Sequence, residues 1–129
     1  MGRSLSPRPA VACFAATAEI NSVDHFYKLD QLLKGREASG RSYLEFLRVP
    51  AMSAGVYTLA KGGIDQQKPH SEDEVYYVIQ GRARMHVGSE HSEVAAGSVI
   101  FVEAHADHRF YDIEEELVIL VLFAPAEQS

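Results

Sequence analysis

Hydrophobic and polar residues follow a helical period near the start of the chain and an alternating period after it. Within residues 22–35, Phe26, Leu29 and Leu33 recur at helical spacing and would form one apolar face. Gly35 follows the last of them and is a typical helix end. The pattern predicts one short N-terminal helix over residues 22–35.

From residue 43 onwards, short segments rich in β-branched and aromatic residues alternate with turns that contain glycine or proline. Such spacing is typical of an all-β sandwich or barrel. The predicted strands are 43–49, 56–60, 75–80, 83–87, 90–94, 98–102, 108–113 and 117–123. The sequence therefore predicts an all-β fold, of about eight short strands, behind one helix.

The length of 129 residues predicts one domain. We expect residues 21–129 to form that domain and residues 1–20 to be an N-terminal tail or an added strand. The lone cysteine, Cys13, cannot form an intrachain disulfide, which suits a reducing compartment and predicts a cytoplasmic protein. Arg3, Arg8 and a short apolar run after them leave open the alternative of an N-terminal targeting segment.

Charge and hydropathy narrow the choice of partners. The net charge is −6 and no basic stripe is present, so we expect no nucleic-acid partner. No apolar stretch is long enough to span a membrane, so we expect no membrane partner either. The segment 117–123 has no polar residue, although a half-solvated strand should alternate. Its second apolar face predicts packing on another sheet or on a second subunit, and thus a homodimer.

Histidines and acids that could bind a metal occur in two places. His70, Glu72 and Glu74 would share one face of an extended segment, and His108 opens a later strand. If those strands face each other across a barrel, two imidazoles and a carboxylate converge, as in the facial triads of metalloenzymes. Spacing alone leaves open the alternative that these are ordinary surface or core residues.

The arrangement around His70 resembles the first sequence motif of the cupin superfamily. His70 lies four residues before Glu74, and six residues then separate Glu74 from Gly81. Gly97 and His108 resemble the second motif, and fifteen residues separate the two motifs, as in small cupins. The resemblance implies a double-stranded β-helix, or jelly-roll, barrel, to which the hydrophobic pattern adds one short N-terminal helix.

The same resemblance implies a metal centre. His70, Glu74 and His108 occupy positions that carry ligands in cupins, which implies one divalent transition metal. Imidazole and carboxylate donors suit iron, zinc, manganese, nickel and copper, and the residues do not choose among them.

The chain departs from the family pattern at several positions. Lys68 stands where the first histidine ligand is usual, and a charged ammonium cannot bind a metal. Gln66, Gln67 or a water molecule are the alternatives for that ligand. His105 stands where the second motif has glycine, so we expect an unusual backbone geometry there.

Two functions are compatible with these features. The first is a metal-dependent enzyme of the oxygenase, isomerase or lyase/cyclase type, acting on a small oxygen-rich substrate with Lys68 as a candidate catalytic residue. The second is a barrel that binds or senses a small molecule without chemistry. The fold supports many reactions, so the resemblance does not identify the substrate.

Overall fold

The computed structural model describes residues 23–128, so the expectation for residues 1–20 lies outside the described part. In chain order the elements are α1 (Leu29–Ser39), β1 (Tyr43–Val49), β2 (Met52–Leu59), β3 (Asp73–Val87), β4 (Glu90–Ala95), β5 (Val99–Val102) and β6 (His108–Ala124). No helix among these residues is long and apolar enough to cross a bilayer.

The strands form an antiparallel sheet that curls into the predicted jelly-roll barrel. The order is β1-β2-β6-β3-β4, and β5 pairs with the first half of β3. Side chains that alternate along β3 and β6 fill the interior, because successive residues of a strand point to opposite faces. The largest fully buried apolar side chains are those of Tyr76, Phe110, Leu117 and Ile119. The all-β class with one short helix is confirmed.

The prediction of eight strands is wrong, because two pairs of predicted strands are continuous in the structure. The predicted strands 75–80 and 83–87 are both part of β3, and 108–113 and 117–123 are both part of β6. Gly81 in β3 and Asp112 in β6 have positive φ values of 103° and 48°. The pairing register shifts between Val78 and Arg84, so these residues bend a strand rather than end it.

The predicted helix bounds are also wrong. The helix spans Leu29–Ser39, and Phe26 lies outside it with 93% of its surface exposed. Gly35 lies within the helix, where a Cβ would be 3.4 Å from the Leu44 side chain. Gly40, with a φ of 73°, is the residue that ends the helix, and its N–H donates to the Glu37 carbonyl.

The bend at Gly81 yields a prediction about stability. We expect Gly81→Ala to lower the free energy of unfolding by about 2–3 kcal/mol, because its φ is unfavourable for alanine and the new Cβ would clash with the Glu116 carbonyl. Urea denaturation followed by circular dichroism measures the change. Gly97→Ala is the control, since Gly97 has a similar φ of 96° and no atom within 4 Å of its Cβ position. Equal effects of the two substitutions would contradict the predicted clash.

Candidate metal centre

The three predicted ligands come together inside the barrel. His70 lies in the loop between β2 and β3, Glu74 is the second residue of β3, and His108 is the first residue of β6. One donor atom from each of the three lies within 4.8 Å of the other two. Glu74 and His108 are both 1% exposed, and His70 is half-buried. These residues thus form a His-His-Glu group that could hold a metal ion.

The loop that carries His70 is held against the start of β6. The His70 carbonyl accepts a hydrogen bond of 2.6 Å from the backbone N–H of His105. His105 has a φ of 69°, so the predicted unusual backbone geometry is confirmed. This conformation places the turn that contains His105 beside the His70 loop, three residues before His108.

Three polar atoms in the centre have no hydrogen-bond partner among the described residues. They are both carboxyl oxygens of Glu74 and Nε2 of His108. His108 Nδ1 lies 2.9 Å from the Ala106 carbonyl and must donate to it, which leaves Nε2 as the nitrogen that faces the centre. That nitrogen lies 3.5 Å from Glu74 Oε1. Two buried polar groups that face each other in this way need a proton or a cation between them.

Burial alters the acid–base behaviour of two of the candidate ligands. It raises the pKa of Glu74 to about 8, although the nearby Tyr76 hydroxyl acts in the opposite direction. Burial lowers the pKa of His70, partly offset by the Glu127 carboxylate. His70 is therefore a neutral imidazole at physiological pH, the form that binds metals. The donor set fits a divalent transition metal.

Two side chains contact His70 and were not assigned to it from the sequence. Gln67 Oε1 lies 2.9 Å from His70 Nε2, and Glu127 Oε2 lies 3.6 Å from His70 Nδ1. The Gln67 amide also donates to the Tyr76 hydroxyl at 3.1 Å. Gln67 was one of the alternatives for the missing ligand, whereas nothing in the sequence pattern points to Glu127.

The other predicted site residues lie further out. Lys68 is exposed and is not among the residues that line the cavity described below. Gln66 is also exposed, although it reaches that cavity. The structure thus brings together His70, Glu74 and His108, and leaves the side chain of Lys68 in solvent.

A cavity of about 250 Å³ opens beside the centre. Its lining includes Gln67 and Glu127, which both contact His70, and Phe123, whose ring centroid is 5.1 Å from that of His70. The Tyr43 side chain also lines it, and the buried hydroxyl of Tyr43 has no hydrogen-bond partner among the described residues. A cavity of this size is smaller than the sites of drug-sized ligands and has room only for a small molecule.

The fold and the His-His-Glu group define a small β-barrel protein with a candidate metal centre. Residues 55–123 match the family model described as the cupin domain. The chain belongs to the cupin family.

Relatives with the same fold come from several bacteria. An uncharacterized protein of Streptomyces coelicolor is 48% identical over 101 residues, which cover 78% of this chain and 96% of that protein. The solved structure of TT1209 from Thermus thermophilus has a TM-score of 0.57 at 28% identity, over 65% of this chain and 82% of that one. The DMSP lyase DddQ from Ruegeria pomeroyi has a TM-score of 0.55 at 19% identity, over 59% of this chain and 39% of that one, and shows the fold alone.

Proposed function

We propose that this cupin is an enzyme that binds one divalent transition metal through His70, Glu74 and His108. Its substrate is a small oxygen-rich molecule that enters the adjacent cavity. The observation that carries the proposal is the convergence of three side chains, since one donor atom of each of His70, Glu74 and His108 lies within 4.8 Å of the other two, and Glu74 and His108 are buried. A cation between the three side chains would bind all of them.

When bound, the metal acts as a Lewis acid that polarises a substrate oxygen. The residues around the cavity act on the rest of the substrate. Burial raises the pKa of Tyr43, so its hydroxyl stays protonated and donates a hydrogen bond to a substrate oxygen. The Glu127 carboxylate lies on the same cavity and can accept a proton from carbon or oxygen.

A carboxylate and a phenol beside a Lewis acid are groups that move protons. They favour isomerase or lyase/cyclase chemistry over oxygenation among the reaction types that the sequence allows. Lys68 is exposed and outside the cavity lining, so its proposed role is to attract an anionic substrate rather than to transfer a proton. The catalytic role expected for Lys68 remains a prediction.

We also propose that the protein is a homodimer. On the outer face of the barrel, Tyr77 pairs with Leu120 on one side and with Val99 on the other. Tyr77, Val99 and Phe101 are 44%, 67% and 58% exposed, and together they extend the apolar surface of β6 across β3 to β5. An apolar surface of this kind commonly marks an interface.

Elemental analysis of protein purified without an affinity tag tests the metal proposal. We expect about one equivalent of a transition metal in the wild type and less than a tenth of that in His108→Ala, because a ligand is lost. His25→Ala is the matched control, since His25 is exposed and remote in sequence from the centre. The control is expected to keep the full metal content.

A second readout separates an enzyme from a closed structural site. The cobalt-loaded protein should change its visible spectrum when a bidentate oxygen ligand such as oxalate is added, because an octahedral metal keeps at least two positions that the protein does not fill. Protein that contains no metal and takes up none would contradict the proposal and leave a metal-free ligand-binding barrel as the function. A cobalt spectrum that oxalate does not alter would argue against an enzyme.

A further inference from the structure

Gln67 contacts the metal centre from a position that the cupin motif does not assign to a ligand. Its Oε1 lies 2.9 Å from His70 Nε2. Its amide nitrogen donates to the hydroxyl of Tyr76, whose ring centroid is 6.1 Å from that of His108. The amide of Gln67 therefore lies between His70 and Tyr76, although its neighbour in sequence, Lys68, is exposed to solvent.

The orientation of the amide is set by its two contacts. The Tyr76 hydroxyl accepts from the Gln67 Nε2 group, which turns the carbonyl oxygen towards His70. The backbone N–H of Gln67 donates to buried Asp65, so the main chain of the residue is held as well. The oxygen is thus positioned before any ligand arrives, and little conformational entropy is lost when it binds a cation.

The distance between the two donor atoms matches that of neighbouring ligands on one metal. Bonds of about 2.1 Å at right angles place two donors about 3.0 Å apart, and tetrahedral angles place them about 3.4 Å apart. His70 Nε2 donates a hydrogen bond to Gln67 Oε1 at 2.9 Å, a proton that a bound cation would replace, and His108 Nε2 and Glu74 Oε1 lie 3.5 Å apart. Both separations lie close to those expected for atoms that share a cation.

We infer that Gln67 Oε1 is the fourth protein ligand of the metal, in place of the histidine for which this chain has Lys68. The inference rests on the proposed metal centre and specifies its composition as two imidazoles, one carboxylate and one amide oxygen. A neutral oxygen in place of a nitrogen favours harder cations, so the centre is better suited to manganese or iron(II) than a three-histidine cupin site.

Two pairs of variants test the inference. In each pair the same substitution is made at Gln67 and, as the matched control, at its neighbour Gln66. Gln66 lines the same cavity but is exposed. We expect Gln67→Ala to weaken Mn²⁺ binding about tenfold or more in calorimetric titration, and Gln66→Ala to leave it within twofold of the wild type. Both alanine variants should show the circular dichroism spectrum of the wild type.

The second pair counts nitrogen ligands directly. In one-equivalent Cu²⁺ complexes, nitrogen hyperfine structure in electron paramagnetic resonance should report two histidine nitrogens in the wild type and in Gln66→His, and three in Gln67→His. All samples carry His91→Ala, because the rings of half-buried His86 and exposed His91 lie 5.4 Å apart and could bind copper.

The outcomes separate the two proposals. A wild type that binds neither Mn²⁺ nor Cu²⁺ in the centre would overturn the metal centre itself. A wild type that binds both, together with two nitrogens in Gln67→His or unchanged affinity in Gln67→Ala, would overturn only the inference that Gln67 is a ligand. Weaker Mn²⁺ binding in Gln67→Ala together with three nitrogens in Gln67→His is the result we expect.

Discussion

Replacement of Glu74 by glutamine is expected to abolish metal binding and, in metal-free protein at alkaline pH, to increase stability. The variant loses the only negatively charged donor of the His-His-Glu group, so its affinity for a divalent metal should fall by more than a hundredfold. The gain in stability has a separate cause. Burial disfavours the charged carboxylate of Glu74 more than the nearby Tyr76 hydroxyl stabilises it, and a neutral amide of the same shape carries no such charge.

The sign of the stability effect follows from the pKa of Glu74, which folding raises from 4.5 to about 8. Between these pH values the folded protein holds a proton that the unfolded chain has released, so the wild type loses stability as the pH rises. The loss is complete above pH 8 and amounts to roughly 5 kcal/mol, since each tenfold change in proton affinity corresponds to about 1.4 kcal/mol. Glutamine does not titrate, so Glu74→Gln lacks this loss.

Urea denaturation of both proteins in the presence of a chelator, from pH 5 to pH 9, measures the effect. The difference in free energy of unfolding between variant and wild type should grow in favour of the variant as the pH rises. Glu72→Gln is the matched control, because Glu72 is 3% exposed but accepts hydrogen bonds from Ser71 Oγ and the backbone N–H of Gln128. A difference that stays constant with pH, or a variant that still binds metal, would show that Glu74 is not the buried ligand described.

The strand pattern could be predicted from the sequence because alternation reflects a local property of the chain. Inward residues such as Tyr76 and Val78 are apolar whether or not the neighbouring strand is known. The residue at which a strand ends depends on pairing with strands that are distant in sequence. Glycine is typical of turns, but β6 pairs with β3 on both sides of Gly81 and keeps the strand continuous. A glycine that bends a strand and one that ends it look alike in sequence.

The ends of the helix could not be predicted from local sequence either. Gly35 resembles a helix end, but Leu44 of β1 packs beside its Cα and the helix continues past it. The true end, Gly40, follows a polar segment and has the left-handed φ that favours glycine. The exposed Phe26 matched the helical period without belonging to the helix, since a few residues at helical spacing occur by chance.

The candidate ligands could be predicted because the motif fixes their spacing, whereas their surroundings could not. Glu127 reaches His70 from the far end of the chain, after β6 has ended. No spacing rule connects residues that meet only through the barrel. Gln67 could be named as an alternative ligand, but the sequence does not decide between Gln67 and Gln66. That choice depends on the backbone conformation of the loop, which the hydrogen bond from the Gln67 N–H to Asp65 holds in place.

Asp65 is the residue whose loss should destabilise the protein most by breaking hydrogen bonds. It is 1% exposed, and its Oδ1 accepts from the Tyr57 hydroxyl at 2.8 Å and from the Gln67 N–H at 3.2 Å. Its Oδ2 accepts from the Phe110 N–H at 3.0 Å. Asp65 thus joins β2, the loop that carries His70 and β6 at a single carboxylate.

We expect Asp65→Ala to lower the free energy of unfolding by about 3–4 kcal/mol, because it leaves the Tyr57 hydroxyl and the Phe110 N–H buried without an acceptor. Urea denaturation of the metal-free protein measures the loss. Tyr57→Phe removes only one of the three hydrogen bonds and should cost about 1 kcal/mol. If Asp65→Ala cost no more than Tyr57→Phe, the carboxylate would not be what anchors the loop. If Asp65→Ala causes the larger loss of stability and also weakens metal binding, the buried Asp65 carboxylate is what holds the loop that carries His70 in position.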